Sequence, residues 1–315
     1  MNPTTQQTVR TCRLLILSIP LDSALTGQTE RGEQDMAGET QRIAAIKDPF
    51  ALLRAATVRL AEAQTEVTEL SRLRQRVISE LHDQGMSYAQ IAAEAGLTRG
   101  RIHQLKQSAP APEGAFLGNA RLIIATPLKQ EAGNARPVLA AEDFAAAQRL
   151  GDLARSYKLD PTFEHVPVGG EIDLNRDDMI VICGPRLSSH VAGVLAQDPS
   201  ICFERAEDGP WTLRDREAGV AYRSGMDSTP TANSDVAYLG RLPRPDGKGL
   251  IMVLTGIHPQ GTLGVIHLIV NDLADLYSQV GTGRFSVLVN VEYNPTDNEP
   301  VNVRLLSPFY RHEAH

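Results

Sequence analysis

Cysteine is scarce: the 315 residues hold three, Cys12, Cys183 and Cys202, with no CxxC spacing and no histidine cluster around them. That excludes a disulfide framework and a zinc site, and points to reduced thiols in a cytoplasmic protein. Aromatic residues make up only 5%, so the core has to be built from Leu, Val, Ile and Ala. No stretch approaches the roughly 18 apolar residues of a membrane helix, which argues against a membrane partner. Walker and GxGxxG loops, paired carboxylates and metal-ligand motifs are all missing. Leu14–Leu21, behind Arg10 and Arg13, is the closest match to a signal-peptide core, and it is short. Residues 1–41 read as a disordered tail, in which Met36 offers an alternative start.

Charge of one sign is unevenly spread. The whole chain carries −7, yet residues 41–108 hold ten Lys/Arg against seven Asp/Glu, a net +3, leaving −10 on the remainder. A basic segment joined to an acidic one suits a protein of which only one part approaches phosphates. Asp48-Pro49 is a helix start, with an Asp cap and Pro at the first position. From there to Gln84 neither Gly nor Pro intervenes. Leu53, Ala56, Leu60, Ala63, Val67 and Leu70 recur at 3-4-3-4-3 spacing, a heptad stripe of about two and a half repeats. It predicts either a helix that self-associates, making the protein a homodimer, or one that packs on its own domain.

Residues 74–107 carry the clearest motif. Val77, Ile78 and Leu81 form an apolar face, and Gly85 ends that helix. Ser87 and Gln90 make a capping box for the next helix, in which Ile91, Ala92 and Ala95 face inward. Gly96 permits a left-handed turn, Leu97 plugs the core, Thr98 caps a further helix, and Ile102 with Leu105 packs it down. Two helices crossing closely need a small contact residue and a Gly in the turn, and both are present. Thr98, Arg99, Gly100, Arg101, His103, Gln104 and Lys106 are then left outward, with Ser87 and Gln90 at the start of the preceding helix. Arg and Gln suit guanine and adenine edges, whereas Thr and Lys more often hold phosphates, so double-stranded DNA is the expected partner.

The pattern formed by Gly85, Ser87, Ile91, Ala92, Gly96, Thr98, Ile102, Gln104 and Leu105 resembles the promoter-reading fourth region of sigma factors. It is equally similar to the sigma-like helix-turn-helix regulators of actinobacteria. The resemblance spans about 35 residues and implies a helix-turn-helix that binds duplex DNA. The polymerase-binding region that precedes it in a sigma factor is not evident, so a free-standing transcriptional regulator is implied.

Residues 108–118, rich in Pro, Ala and Gly, read as a hinge between an all-α unit over 42–107 and an α/β domain over 119–315. Short Ile/Val/Leu runs alternate there with helical patterns, predicting a Rossmann-like layered fold with a mostly parallel sheet and an antiparallel edge pair at its end. Two turns directly follow buried strands: Gly184, Arg186, Ser188 and Ser189 in one; Gly256, His258, Gly261 and Thr262 in the other. Ligands of open α/β sheets sit beyond such strand ends, where free backbone N–H groups favour phosphate or carboxylate. A nucleotide or other phosphorylated small molecule is the expected effector. Residues 206–235 read as a long turn-rich region, with Tyr222, Arg223, Ser224 and Arg241 placed to close over that ligand. No nucleophile stands beside a base, which favours a sensor over the alternative, a nucleotide-processing enzyme with an accessory helix-turn-helix.

Overall fold

A computed structural model of the chain describes residues 38–312 except 109, 120, 208, 230 and 231. The expectations for Cys12, Leu14–Leu21 and Met36 lie outside the described residues, whereas residues 38–41, read as the end of the disordered tail, belong to a helix over 38–44. The chain divides into two units, Met1–Ala63 and Gln64–His315. The division falls inside helix α1 (Pro49–Asp83) rather than at residues 108–118. The expected hinge is tied down: residues Pro112–Phe116 form a 3-10 turn, and Phe116 and Leu117 are buried in the α/β core.

Asp48 caps α1, its Oδ2 accepting from the Ala51 N–H at 2.9 Å. Helices α2 (Tyr88–Glu94) and α3 (Arg99–Ser108) follow. Gly85 and Gly96, at φ +96° and +65°, make the turns that a side chain would strain. Ile78, Ile91, Ala92, Ile102 and Leu105 form a small core beside Leu81, Met86 and Tyr88. Leu97 is 38% and Val77 41% exposed, and Ala95 lies outside too, against expectation. Met86 and Tyr88 take the places those residues were assigned, with Tyr88 stacked on His82 at 4.2 Å.

The α/β part runs β1 (Arg121–Pro127), the hairpin β2 (Lys129–Gln130) and β3 (Pro137–Val138), α4 (Ala141–Ser156), β4 (Asp160–Val166), β5 (Met179–Ile182) and α5 (Ser189–Leu195). It continues through β6 (Ile201–Arg205), β7 (Trp211–Asp215), β8 (Val220–Arg223), the one-turn α6 (Gly225–Ser228), β9 (Ser234–Pro243) and β10 (Leu250–Gly256). Helix α7 (Pro259–Val280), β11 (Arg284–Tyr293), β12 (Pro300–Leu305) and β13 (Tyr310–His312) complete it. The main sheet has the order β12-β11-β9-β10-β5-β1-β4, with β13 also on β11. Its β4-β1-β5-β10 half is parallel, while β9, β11, β12 and β13 pair antiparallel with their neighbours. The sheet is therefore mixed, not mostly parallel. The cause is β9, which lies partly in the segment read as turns and inserts between β10 and β11.

Period-two burial splits the sheet residues between two cores. Leu122, Ile124, Ile180 and Ile182 face α4 and α7; Ala125, Met179 and Val181 face α5 and the small sheet β6-β7-β8. The molecule is layered α/β. Among the described residues no helix is long and apolar enough to cross a membrane.

Candidate functional site

From β1 the chain steps to β4 on one side and then to β5 on the other, so the strand order reverses between β1 and β5. A crevice at the carboxyl ends of strands is expected at such a switch point. A small open cleft lies there. It is lined by Pro127 after β1, Ile182–Leu187 after β5, and Thr255–Pro259 with Thr262 after β10. The two turns singled out in the sequence thus meet. Lys129 and Asp143 close one side, and Phe203 and Trp211 of the small sheet form an aromatic wall.

The charges of the cleft are mostly employed. Lys129 Nζ lies 3.1 Å from Asp143 Oδ2, and Asp143 is 3% exposed. Burial pushes the Asp143 carboxyl up, and Lys129 pulls it partly back. His258 Nε2 meets Asp227 Oδ1 at 3.0 Å. Behind it the buried Asp235 organises the first turn of α7: its Oδ2 accepts from the N–H groups of His258 and Gly261, each at 2.9 Å, and its Oδ1 from Val236 N–H at 2.8 Å. Burial raises its carboxyl to about 6, against those bonds. The Gly256 N–H donates to Thr262 Oγ1 at 2.9 Å. A Cβ on Gly256 would run into the His258 carbonyl oxygen and the Gly261 backbone, so the turn tolerates no side chain there. The backbone donors expected to hold a phosphate at this turn are satisfied from within. Cys183, raised to about 12 by burial and by Asp143, is a thiol at neutral pH and no nucleophile.

Gly184, Arg186, Gly256, His258 and Thr262 therefore line one cleft. Gly261 stands behind them on Asp235. Ser188 is buried as the cap of α5, its Oγ donating to the Gly170 carbonyl at 2.6 Å. Ser189 is exposed outside the lining. Arg241 sits at the opposite end of the sheet, where Arg241 pairs with Met252 near the start of β10. Its guanidinium donates to the carbonyls of Phe116, Gly281 and Gly283 and lies over the Phe116 and Phe285 rings. That burial lowers it to about 10. Arg241 is a structural clamp, not a ligand residue. The expected closing loop is likewise fixed: Tyr222 and Arg223 belong to β8, and Ser224 is wholly buried, capping α6. Lys129 and Asp143 escaped sequence reading, and Asp227 and Asp235 were noted only as members of a long polar stretch, because only the fold brings each to its partner; a single tryptophan was the one available signal for Trp211.

On the helical side, Ile102 and Leu105 are buried while Thr98, Arg99, Gly100, Arg101, His103, Gln104 and Lys106 are exposed along α3. From Leu97 to Gln107 no carboxylate interrupts this set. Thr98 Oγ1 caps the helix by accepting from Arg101 N–H at 3.1 Å. Arg101 Nη1 donates to Gln104 Oε1 at 2.8 Å, and Lys106 Nζ to the Tyr88 hydroxyl at 2.7 Å. His103 stands edge-on to the Tyr88 ring. A Cβ on Gly100 would meet nothing within 4 Å, leaving an open approach to the backbone. Ser87 and Gln90 are committed to a reciprocal capping box, Ser87 N–H donating to Gln90 Oε1 at 2.8 Å and Gln90 N–H to Ser87 Oγ at 3.3 Å. Compared with protein families and with curated proteins, the chain matches no family model and no curated protein.

Proposed function

We propose that the chain is a DNA-binding transcriptional regulator of the sigma-region-four-like kind, in which α2 and α3 act as a helix-turn-helix and α3 enters the major groove. One observation carries this reading: α3 buries Ile102 and Leu105 and turns Arg99, Arg101 and Lys106 outward with no acidic neighbour on the helix. Arg101 and Gln104, held side by side, form a guanine- and adenine-reading pair; Lys106 and the α3 N-terminus meet phosphate. Duplex-binding anisotropy at several salt concentrations tests it. Arg99→Ala with Arg101→Ala weakens binding roughly 30-fold and lowers the log–log salt slope by about two. Unchanged affinity removes the reading.

The cleft is the effector site of this regulator. With the His258 and Gly261 N–H groups committed to Asp235 and Lys129 paired with Asp143, its anion-binding group is the exposed Arg186 side chain, and its planar surface is Trp211 with Phe203. A nucleotide matches that combination of cation and aromatic wall. Thermal-shift titration with nucleoside mono-, di- and triphosphates is expected to raise the melting temperature for at least one of them, and Arg186→Ala to abolish the rise. No shift with any of them ends the sensor reading and leaves the DNA reading standing.

A further inference from the structure

Helix α1 carries a seam that the described residues leave uncovered. Leu53, Leu60, Val67 and Leu70 are 61%, 61%, 63% and 56% exposed. One exposed Leu is ordinary, but four large apolar side chains in heptad register form a stripe that wants a partner. We infer that α1 pairs with α1 of a second copy of this chain, and that the two run antiparallel about a dyad between positions 61 and 62.

Three features select that arrangement. In a parallel, in-register pair the layers would match each residue with itself, so Ala56 would face Ala56 and Ala63 face Ala63, leaving two thin layers. Run antiparallel about this dyad, Leu53 faces Leu70 of the second copy, Ala56 faces Val67 and Leu60 faces Ala63, so each Ala meets a larger side chain. The flanks agree. The antiparallel pair sets Arg59 against Glu66 of the second copy twice, and Leu52 against Leu73 twice. The parallel pair sets Arg59 against Gln64 and Glu66 against Ser71, with no charge matched. Arg59 also meets Glu39 and Glu62 of its own chain, which orient its guanidinium without exhausting its five donors. Finally, Arg74 takes the next core position after Leu70. A parallel pair would press two Arg74 guanidinium groups together. The antiparallel pair sets each against Pro49 of the second copy, the first residue of the helix, so the two guanidinium groups are held at opposite ends of the seam.

The inference stands apart from the DNA reading, because the oligomeric state is measured without DNA. Light scattering of the full chain should give a dimer. Glu66→Arg and Arg59→Glu should each weaken it about tenfold, and mixing the two variant chains should restore it, since the mixed pair matches both charges. In a Cys12→Ser background, oxidised Leu53→Cys/Leu70→Cys chains should cross-link on a non-reducing gel, while Leu53→Cys alone should not. Cross-linking by Leu53→Cys alone overturns the antiparallel arrangement. A monomer at all concentrations overturns the pairing and assigns the seam to another segment of the same chain.

Discussion

The α2–α3 pair and the α/β cleft hold their polar groups under opposite conditions. Along α3 the cations are exposed and carboxylates are absent, so the side chains keep their charge for a partner that arrives with its own. In the cleft, Lys129 is given to Asp143, His258 to Asp227, and the α7 amides to Asp235. The difference teaches that a long polyanion can be met by a loosely held basic face, whereas a small molecule needs a rigid frame whose internal polar groups are already satisfied.

The sharpest way to break the contrast is Asp235→Ala. It removes the acceptor of the Val236 and His258 N–H groups and one of two acceptors of the Gly261 N–H, and should cost about 3 kcal/mol in denaturant unfolding while sparing α3. Equal loss of DNA binding and cleft stability would show the two regions to be one cooperative unit. This group also carries a pH signature. Its folded value, about 6, lies above the ordinary 3.8, so the stability it contributes is full below pH 4 and lost as pH rises through 6. The gap between wild type and Asp235→Ala should therefore be wider at pH 5 than at pH 8 in paired denaturation curves; a gap that widens with pH refutes the assignment.

Ile102→Ala comes next, at about 3 kcal/mol, because it empties the centre of a five-residue core. Helical circular dichroism and DNA affinity should fall together, and the response of the cleft to a ligand should persist. Ser87→Ala is the smallest change, removing one side of the capping box for about 1 kcal/mol, and should appear as faster amide exchange at the start of α2. No change in exchange would mean that Gln90 alone supports the turn.

Elements whose burial is carried by apolar runs were legible in advance. The apolar runs Leu122–Ala125, Met179–Cys183, Ile201–Arg205, Leu250–Thr255 and Phe285–Tyr293 read as strands from the sequence alone, and the structure places strands over Arg121–Pro127, Met179–Ile182, Ile201–Arg205, Leu250–Gly256 and Arg284–Tyr293. The turn glycines Gly85 and Gly96 were readable too, since the backbone conformation they permit leaves few alternatives. β9 was not. It is buried almost throughout, yet its sequence includes Asp235, Tyr238, Gly240 and Arg241 and looks like a loop. Two of those polar groups are satisfied by residues forty or more positions away: Tyr238 by Asp198, and Arg241 by carbonyls of Phe116, Gly281 and Gly283. Local pattern cannot register a partner brought in only by the fold. The Lys129–Asp143 and Asp227–His258 pairs, 14 and 31 positions apart, were hidden in the same way, while the glycine-bearing turns that meet in the cleft announced themselves by following buried strands.

Trp211 is the only tryptophan in the chain, and it stands half-buried in the wall of the cleft. The molecule therefore carries an optical probe confined to the cleft. On the proposed function, in which DNA meets α3 and not the cleft, a colour shift at this one indole with DNA as the only addition would read coupling between the two regions.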